Sequence, residues 1–213
     1  MKKLNLIILG PPGSGKDTQV QAILKKINAE FISTGDIARE LASLDSSLGK
    51  KVREKMEKGE LLDDNLILEE LSKKLEKINK EKGIILDGYP RNISQAEELR
   101  KVLFRLGRSV DKVIFLDVPE KELIKRLSTR FICKKCGRSI LAGEKKCPFC
   151  GGELVKRIDD VSNSRILNRI QVYYEKTELL VEYYEKEGLL VAVDGDQSPK
   201  DVTRDIFKAL REG

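Results

Sequence analysis

Short apolar runs recur along the chain, and each is followed by a stretch with helical spacing. The runs are continuous rather than alternating, which is typical of strands buried on both faces of a parallel sheet. Five are present, at residues 4–9, 31–32, 83–87, 113–118 and 189–193. Helices are predicted between and after them, at residues 17–27, 50–58, 64–79, 95–104, 120–129, 161–186 and 200–210. The pattern predicts an α/β fold in three layers, with a five-stranded parallel sheet between helices.

Two segments interrupt the alternation of strand and helix. Residues 33–62 place several helical pieces between strands, and residues 129–161 contain all four cysteines. Open parallel sheets bind ligands at the carboxyl ends of their strands. We therefore expect both segments to be insertions on that rim of a single domain, residues 1–213, whose remainder forms the core.

Composition narrows the class of protein without deciding it. Of 213 residues, 40% are apolar and 36% charged, and no apolar run is long enough to span a bilayer, so a cytoplasmic protein without a membrane partner is expected. The net charge of +6 fits a nucleic-acid binder, a solvated helix surface or a site for an anionic small molecule. The absence of histidine excludes a histidine base and histidine metal ligands.

The segment from Gly10 to Thr18, Gly-Pro-Pro-Gly-Ser-Gly-Lys-Asp-Thr, follows the first strand and opens the first helix. That context predicts a phosphate-binding loop, in which backbone N–H groups and a helix N-terminus converge on phosphate oxygens. The predicted contacts are Gly13, Ser14, Gly15, Lys16, Asp17 and Thr18.

Two carboxylates accompany this loop. Asp17 stands where the general motif has Ser or Thr; it could cap the helix, reach a metal through water or repel phosphate. Asp87, at the end of a predicted strand, is the candidate for ordering the water shell of Mg²⁺.

The cysteines form two Cys-x-x-Cys pairs separated by ten residues, each followed by Gly. Four thiolates at this spacing can surround Zn²⁺ tetrahedrally. The predicted ligands are Cys133, Cys136, Cys147 and Cys150. The site would be structural, since no position is left open for chemistry. A redox pair, two disulfides or an iron ion are the alternatives.

Three further segments are informative: Ser33–Arg39 (Ser-Thr-Gly-Asp-Ile-Ala-Arg), Asp87–Gln95 (Asp-Gly-Tyr-Pro-Arg-Asn-Ile-Ser-Gln) and Arg126–Arg130 (Arg-Leu-Ser-Thr-Arg). Together with the phosphate loop they resemble the adenylate kinase family over essentially the whole chain. The resemblance implies a parallel-sheet core, an AMP-binding insertion at residues 33–62 and a lid at residues 129–161 that carries the zinc site.

The resemblance also implies roles for individual residues. Besides the loop, the ATP site would include Arg126, Arg130, Ser139, Ile140 and Gln197. The AMP site would be Thr34, Arg39, Glu60, Leu61, Leu62, Gly88, Tyr89, Pro90, Arg91, Gln95, Arg157 and Arg169, with Gln95 at the adenine edge. The catalytic set would be Lys16, Arg91, Arg130, Arg157 and Arg169. Asp159 and Asp160 resemble a pair that helps to close the lid.

The implied activity is phosphoryl transfer from MgATP to AMP, giving two ADP. The expected partners are ATP, AMP and ADP, and the expected cofactors are Mg²⁺ and structural Zn²⁺. The protein is expected to be a monomer that binds no nucleic acid. The acceptor phosphate is already ionised near neutral pH, so no general base is needed.

Two alternatives remain at this stage. Asn92, directly after Pro90 and Arg91, resembles the residue found at this position in UMP/CMP kinases, which is the first alternative. The basic residues around the cysteines, Lys134, Lys135, Arg138, Lys145 and Lys146, would suit a P-loop protein with a nucleic-acid-binding zinc ribbon.

Overall fold

The computed structural model describes residues 3–141, 143–157 and 160–212. Five strands form one parallel sheet: β1 (Asn5–Leu9), β2 (Ala29–Ser33), β3 (Gly83–Asp87), β4 (Lys112–Asp117) and β8 (Leu190–Asp194). Their order across the sheet is β2-β3-β1-β4-β8. The predicted five-stranded parallel sheet is confirmed.

Helices cover both faces of this sheet. They are α1 (Lys16–Leu24), α2 (Thr34–Ala42), α3 (Ser47–Lys58), α4 (Asp64–Glu76), α5 (Ile93–Arg105), α6 (Glu120–Ser128), α7 (Asn163–Val172), α8 (Leu179–Lys186) and α9 (Pro199–Glu212). The predicted α/β class is therefore confirmed, although α1 and α4 end earlier than their patterns predict, at Leu24 and Glu76.

Strand β1 explains why the apolar runs are continuous. Leu6 and Ile8 belong to a buried cluster on one face, with helix residues such as Val20 and Ile206. Ile7 and Leu9 belong to a different cluster on the other face, with residues of α4 and α5. Because successive side chains point to opposite faces, a strand with a helix layer on each side must be apolar at every position.

The carboxyl ends of the parallel strands share one edge of the sheet. Ser33 of β2 lies beside Asp87 of β3, and Asp117 of β4 lies beside Asp194 of β8. The phosphate loop follows β1 at the same edge. The polar residues that end the strands are thereby brought together, although they are far apart in the sequence.

The predicted helix at residues 161–186 has a more complex form. It begins at Asn163, because Ser162 is the N-cap and its side chain accepts a hydrogen bond from the Arg165 N–H. A π-helical turn, Tyr173–Thr177, then separates α7 from α8. The apolar spacing does not reveal this wide turn.

A second, antiparallel sheet stands apart from the first. It consists of β5 (Arg130–Cys133), β6 (Ser139–Leu141) and β7 (Leu154–Val155), in the order β6-β5-β7. All three strands fall within the predicted lid segment. None of the helices in the described ranges is long and apolar enough to cross a membrane.

Candidate active site

The loop after β1 has the backbone of a phosphate cradle. Gly10, Gly13 and Gly15 all have positive φ, at 143°, 87° and 95°. A Cβ at Gly10 would stand 2.9 Å from the carbonyl oxygen of Leu116. A side chain is therefore excluded at Gly10 both by backbone conformation and by space, whereas at Gly15, which has open space around it, the positive φ alone favours glycine. The loop N–H groups at the start of α1 are thereby not covered by side chains.

Lys16 and Asp87 lie at the centre of the site. The Lys16 ammonium donates to the carbonyl oxygens of Gly10 at 2.7 Å and Pro11 at 3.0 Å. Burial lowers the pKa of Lys16 and raises the pKa of Asp87, while the opposite charge of each residue counteracts the shift of the other. Oδ1 of Asp87 is buried and has no hydrogen-bond partner among the described residues.

Asp160 organises two of the predicted catalytic arginines. Its side chain is fully buried, and Oδ2 accepts from Nε and Nη2 of Arg130 at 2.8 and 2.6 Å. Oδ1 accepts from Nη1 of Arg169. Burial and then the charge of Arg157 lower the pKa of Arg130, which reflects how closely these cations are gathered. One carboxylate thus holds guanidinium groups from β5 and α7 together.

A further group of predicted residues lies around the turn that follows β3. The Thr34 hydroxyl donates to the Gly88 carbonyl oxygen at 2.8 Å, and Nε of Arg91 donates to the same oxygen at 2.8 Å. Gln95 is only 4% exposed, and its Oε1 accepts from the Arg91 backbone N–H at 2.7 Å. Tyr89 is 1% exposed and packs in the core, so little of its side chain is left for a ligand.

Asp17 contacts the lid rather than its own helix. Its Oδ2 accepts from the hydroxyl of Ser139, on β6, at 3.1 Å. The hypothesis that Asp17 caps α1 is wrong, because the N-cap is Gly15 and no side chain accepts a capping hydrogen bond there.

Two residues predicted for the ATP site, Arg126 and Gln197, contact the segment that ends β8. Arg126 donates to the Gly195 carbonyl oxygen and to Oδ1 of Asp196, both at 3.2 Å. Gln197 donates to the Asp194 carbonyl oxygen at 3.2 Å. Arg39, which was predicted for the AMP site, forms an ion pair with Asp36 at 2.5 Å.

One cavity of about 500 Å³ joins these groups. Its lining includes every predicted nucleotide-site residue: Gly13, Ser14, Gly15, Lys16, Asp17, Thr18, Thr34, Arg39, Glu60, Leu61, Leu62, Asp87, Gly88, Tyr89, Pro90, Arg91, Gln95, Arg126, Arg130, Ser139, Ile140, Arg157, Arg169 and Gln197. Asp159 lies outside the described residues.

Some lining residues were not predicted from the sequence. Tyr173 and Thr177 come from the π-helical turn, where Thr177 donates to the Arg91 carbonyl oxygen at 3.1 Å. Gly195 follows β8, and its position at the carboxyl end of a parallel strand was a usable signal. Asp64 contacts Gln95 without lining the cavity, and it carries no sequence signal beyond its place in the first turn of α4.

The four cysteines converge in the lid, away from this cavity. Their Sγ atoms lie within 4.8 Å of one another. A backbone hydrogen bond from Cys136 is the main cause that lowers the pKa of Cys133 to about 6. For Cys150 a backbone hydrogen bond from Gly152 lowers the pKa. Burial and the neighbouring sulfurs outweigh it and raise the pKa of Cys150 to about 12. Such crowding of thiols favours a cation among them.

The phosphate loop, the polar turn after β3 and several arginines all line this one cavity. This arrangement defines a P-loop phosphotransferase, since phosphoryl transfer depends on positioning and charge neutralisation. A model of the family described as adenylate kinase matches residues 8–189. The chain therefore belongs to the adenylate kinase family, and it is a nucleotide-binding kinase.

Individual relatives agree with the family match over nearly the full length. A protein named adenylate kinase from Caldicellulosiruptor bescii is 42% identical over 213 residues, covering 97% of this chain and 99% of the relative. One of the same name from Archaeoglobus fulgidus is 43% identical over 215 residues, covering 98% and 99%. Nothing in these comparisons favours the UMP/CMP kinase alternative.

Proposed function

We propose that the chain transfers a phosphoryl group reversibly between MgATP and AMP, giving two ADP, through the residues described above. The observation that carries this proposal is that one cavity is lined by Lys16 of the phosphate loop, by Gln95 and by the guanidinium-bearing residues Arg91, Arg130 and Arg169. Two nucleotides that meet end to end need such a cavity, with their phosphates in its middle.

The donor nucleotide occupies the end formed by the phosphate loop. Backbone N–H groups from Gly13 to Thr18 and the Lys16 ammonium bind its terminal phosphates. Lys16 already bonds to loop carbonyls, so its ammonium is oriented before a substrate arrives. Arg126, Ser139, Ile140 and Gln197 line the same end of the cavity and contact the rest of ATP.

AMP occupies the opposite end, between α2 and the turn after β3. Gln95 faces the adenine edge, and Thr34, Arg39 and Gly88 line the space around it. Arg91 binds the AMP phosphate. Glu60, Leu61 and Leu62 close the site from the segment after α3.

Transfer itself requires positive charge around the phosphoryl oxygens rather than a proton acceptor. The second pKa of a phosphate is about 6, so the attacking oxygen of AMP is already ionised at neutral pH. Arg130, Arg157 and Arg169 approach from the lid side, and Lys16 and Arg91 from the core. The lid excludes water, which would otherwise take the phosphoryl group.

The residues near Lys16 suit Mg²⁺. A buried carboxylate oxygen of Asp87 without a partner among the described residues is the kind of hard ligand that holds the water shell of this ion. Bound with ATP, Mg²⁺ supplies charge neutralisation at the phosphates. Asp87 would hold its water molecules.

The cysteine cluster suits Zn²⁺ in a structural role. A tetrahedral site with Zn–S bonds of about 2.3 Å separates its sulfurs by roughly 3.8 Å. The Cys133–Cys150 and Cys136–Cys147 Sγ pairs lie 3.5 and 3.6 Å apart, close to that spacing. Iron would fit the same donors, so metal analysis is required to choose between them.

We also propose a cellular location, an oligomeric state and a set of partners for the enzyme. We place the enzyme in the cytoplasm, where a reducing environment keeps such thiols available for metal, as a monomer in adenine nucleotide interconversion that binds no nucleic acid. Light scattering on the purified protein measures its mass. A steeply salt-dependent affinity for DNA or RNA would contradict the last point.

The deciding experiment measures initial rates of ADP formation from MgATP with AMP, UMP, CMP or GMP, on protein whose zinc and iron contents are measured in the same sample. We expect AMP to be preferred by at least about 100-fold, since a site that hydrogen-bonds its base can reject a base without the matching groups by up to about 10⁴–10⁵. A reaction without any monophosphate controls for ATP hydrolysis. A clear preference for UMP or CMP would overturn the proposal.

A further inference from the structure

We propose that Asp64 determines the preference of this site for adenine over 6-oxo purines, by fixing the direction of the Gln95 carboxamide. This inference rests on the proposed role of Gln95 at the adenine edge. Asp64 does not line the cavity, so it acts as a positioning residue through Gln95.

Two contacts orient the Gln95 carboxamide, one at each of its polar atoms. Its Oε1 accepts from the Arg91 backbone N–H at 2.7 Å, and its Nε2 donates to Oδ1 of Asp64 at 2.7 Å. An N–H can only donate and a carboxylate can only accept. Both contacts therefore demand the same orientation, although oxygen and nitrogen of an amide have nearly the same shape.

Asn92 holds Asp64 and Gln95 in place. Its Nδ2 donates to Oδ2 of Asp64 at 3.0 Å, and its Oδ1 accepts from the Gln95 backbone N–H at 2.8 Å as the N-cap of α5. Asp64 lies in the first turn of α4, so the contact joins the starts of two helices. Gln95 is 4% exposed and has little room to adopt another position.

The remaining hydrogen-bonding capacity of Gln95 has a direction. A carboxamide has two N–H donors and two acceptor lone pairs on its oxygen. One of each is used by Asp64 and Arg91, which leaves one N–H beside one acceptor for the base. Adenine offers the complement, with an acceptor at N1 next to the donor N6–H. A 6-oxo purine offers the reverse, with a donor at N1–H next to the acceptor O6.

A 6-oxo purine could pair only if the Gln95 carboxamide turned over. Nε2 would then meet the Arg91 N–H, and Oε1 would meet the Asp64 carboxylate. Both new contacts are repulsive, donor against donor and acceptor against acceptor. The wrong base is thus rejected by groups that never touch it, which is specificity through an unfavourable alternative.

The test uses AMP and inosine 5′-monophosphate (IMP), which differ in the purine only at the 6-substituent and N1–H. In Asp64→Asn the oxygen of the new carboxamide is needed as the acceptor for Nδ2 of Asn92, so its nitrogen faces Gln95. One of the two repulsive contacts is therefore relieved when Gln95 turns. We expect kcat/KM for IMP to rise roughly tenfold, the scale of one hydrogen bond, and kcat/KM for AMP to fall by up to about tenfold, because Nε2 of Gln95 then meets a donor in its AMP-binding orientation.

A gain of activity with IMP distinguishes positioning from damage, since a merely structural change would lower both rates. Asp63→Asn is the matched control, because it removes the same charge one residue earlier and Asn still serves as the N-cap of α4. The control should leave kcat/KM for IMP unchanged. An IMP rate in Asp64→Asn that stays constant, or falls in parallel with AMP, overturns the inference.

A third variant separates this inference from the proposed function. Gln95→Ala should abolish most discrimination between AMP and IMP. If discrimination survives in Gln95→Ala, Gln95 does not read the base, and both its assignment and the role of Asp64 fail. If Gln95→Ala loses discrimination but Asp64→Asn gains no IMP activity, only the role of Asp64 fails.

Discussion

The parallel-sheet core and the lid sheet differ in the size and chemistry of what they bury. Strands of the core lie between two clusters of aliphatic side chains drawn from helices on both faces. The lid sheet buries Cys133, Ile140 and Cys147, with Cys150 and Leu154 packed against them. A unit this small cannot bury enough apolar surface to be stable alone, which is why small domains commonly use metals.

That difference suits the two regions to different tasks. The core gives Lys16 and Asp87 a fixed position, because strand β3 is buried and one face of helix α1 packs into the aliphatic cluster through Val20 and Ile23. The lid is tied to the core through polar contacts, Asp160 with Arg169 of α7 and Ser139 with Asp17. Polar contacts of this kind can exchange with water, whereas an aliphatic core cannot open cheaply. We therefore expect the lid, and not the core, to open when nucleotides enter and leave.

The largest expected effect comes from the core. Lys16→Met should reduce kcat about 1,000-fold, since loss of one preorganised cation or donor typically costs 10²–10³ in rate. Hydrogen exchange of lid peptides and metal content should not change. Lys25→Met, an exposed change just after α1, is the control and should retain full activity. Substantial residual turnover in Lys16→Met would mean that the phosphate loop has been misinterpreted.

The next effect concerns the junction between the regions. Asp160→Asn removes the buried charge that holds Arg130 and Arg169, and hydrogen bonds to charged groups contribute about 1.5–3 kcal/mol. We expect kcat/KM for AMP to fall roughly 10- to 100-fold. Asp201→Asn, which breaks an exposed pair with Arg204, should have no effect. Equal behaviour of the two variants would show that the buried carboxylate does not organise the site.

A smaller effect on turnover is expected from the lid. Cys147→Ser should release the metal and loosen the lid while the core stays folded, lowering kcat about five- to tenfold by admitting water. Hydrogen exchange in peptides from residues 130–157 reports the lid. Near-UV circular dichroism reports the core, because all five tyrosines lie outside the lid.

The control for this variant is Lys146→Ser, an exposed change beside the metal ligand. It should retain metal and lid protection. Unchanged metal content and exchange in Cys147→Ser would refute the structural metal site, and loss of the tyrosine signal would show that core and lid unfold together.

The smallest effect belongs to the contact between lid and phosphate loop. Ser139→Ala removes one hydrogen bond to the exposed Asp17 carboxylate, and we expect KM for ATP to change about two- to threefold. Ser43→Ala, whose hydroxyl contacts only its own helix end, is the control. A change above tenfold would mean that this contact dominates lid closure.

The features predicted correctly from the sequence depend on local patterns. The parallel strands were visible because burial on both faces requires apolar residues at every position. The phosphate loop was visible because its glycines are required by positive φ at Gly10, Gly13 and Gly15. The cysteine cluster was visible because each Cys-x-x-Cys pair is a local unit. The roles of the arginines, by contrast, came from resemblance and stay predictions.

Contacts between distant segments were decided only in three dimensions. The chain alone determined which segments are strands, where phosphate would bind and which thiols would gather, because backbone conformation and burial act on neighbouring residues. It did not reveal that Asp17 meets Ser139, that Asp64 orients Gln95, or that the helix at residues 161–186 widens at Tyr173–Thr177. Those features follow from how packed elements bring side chains together, and no short sequence pattern encodes such distances.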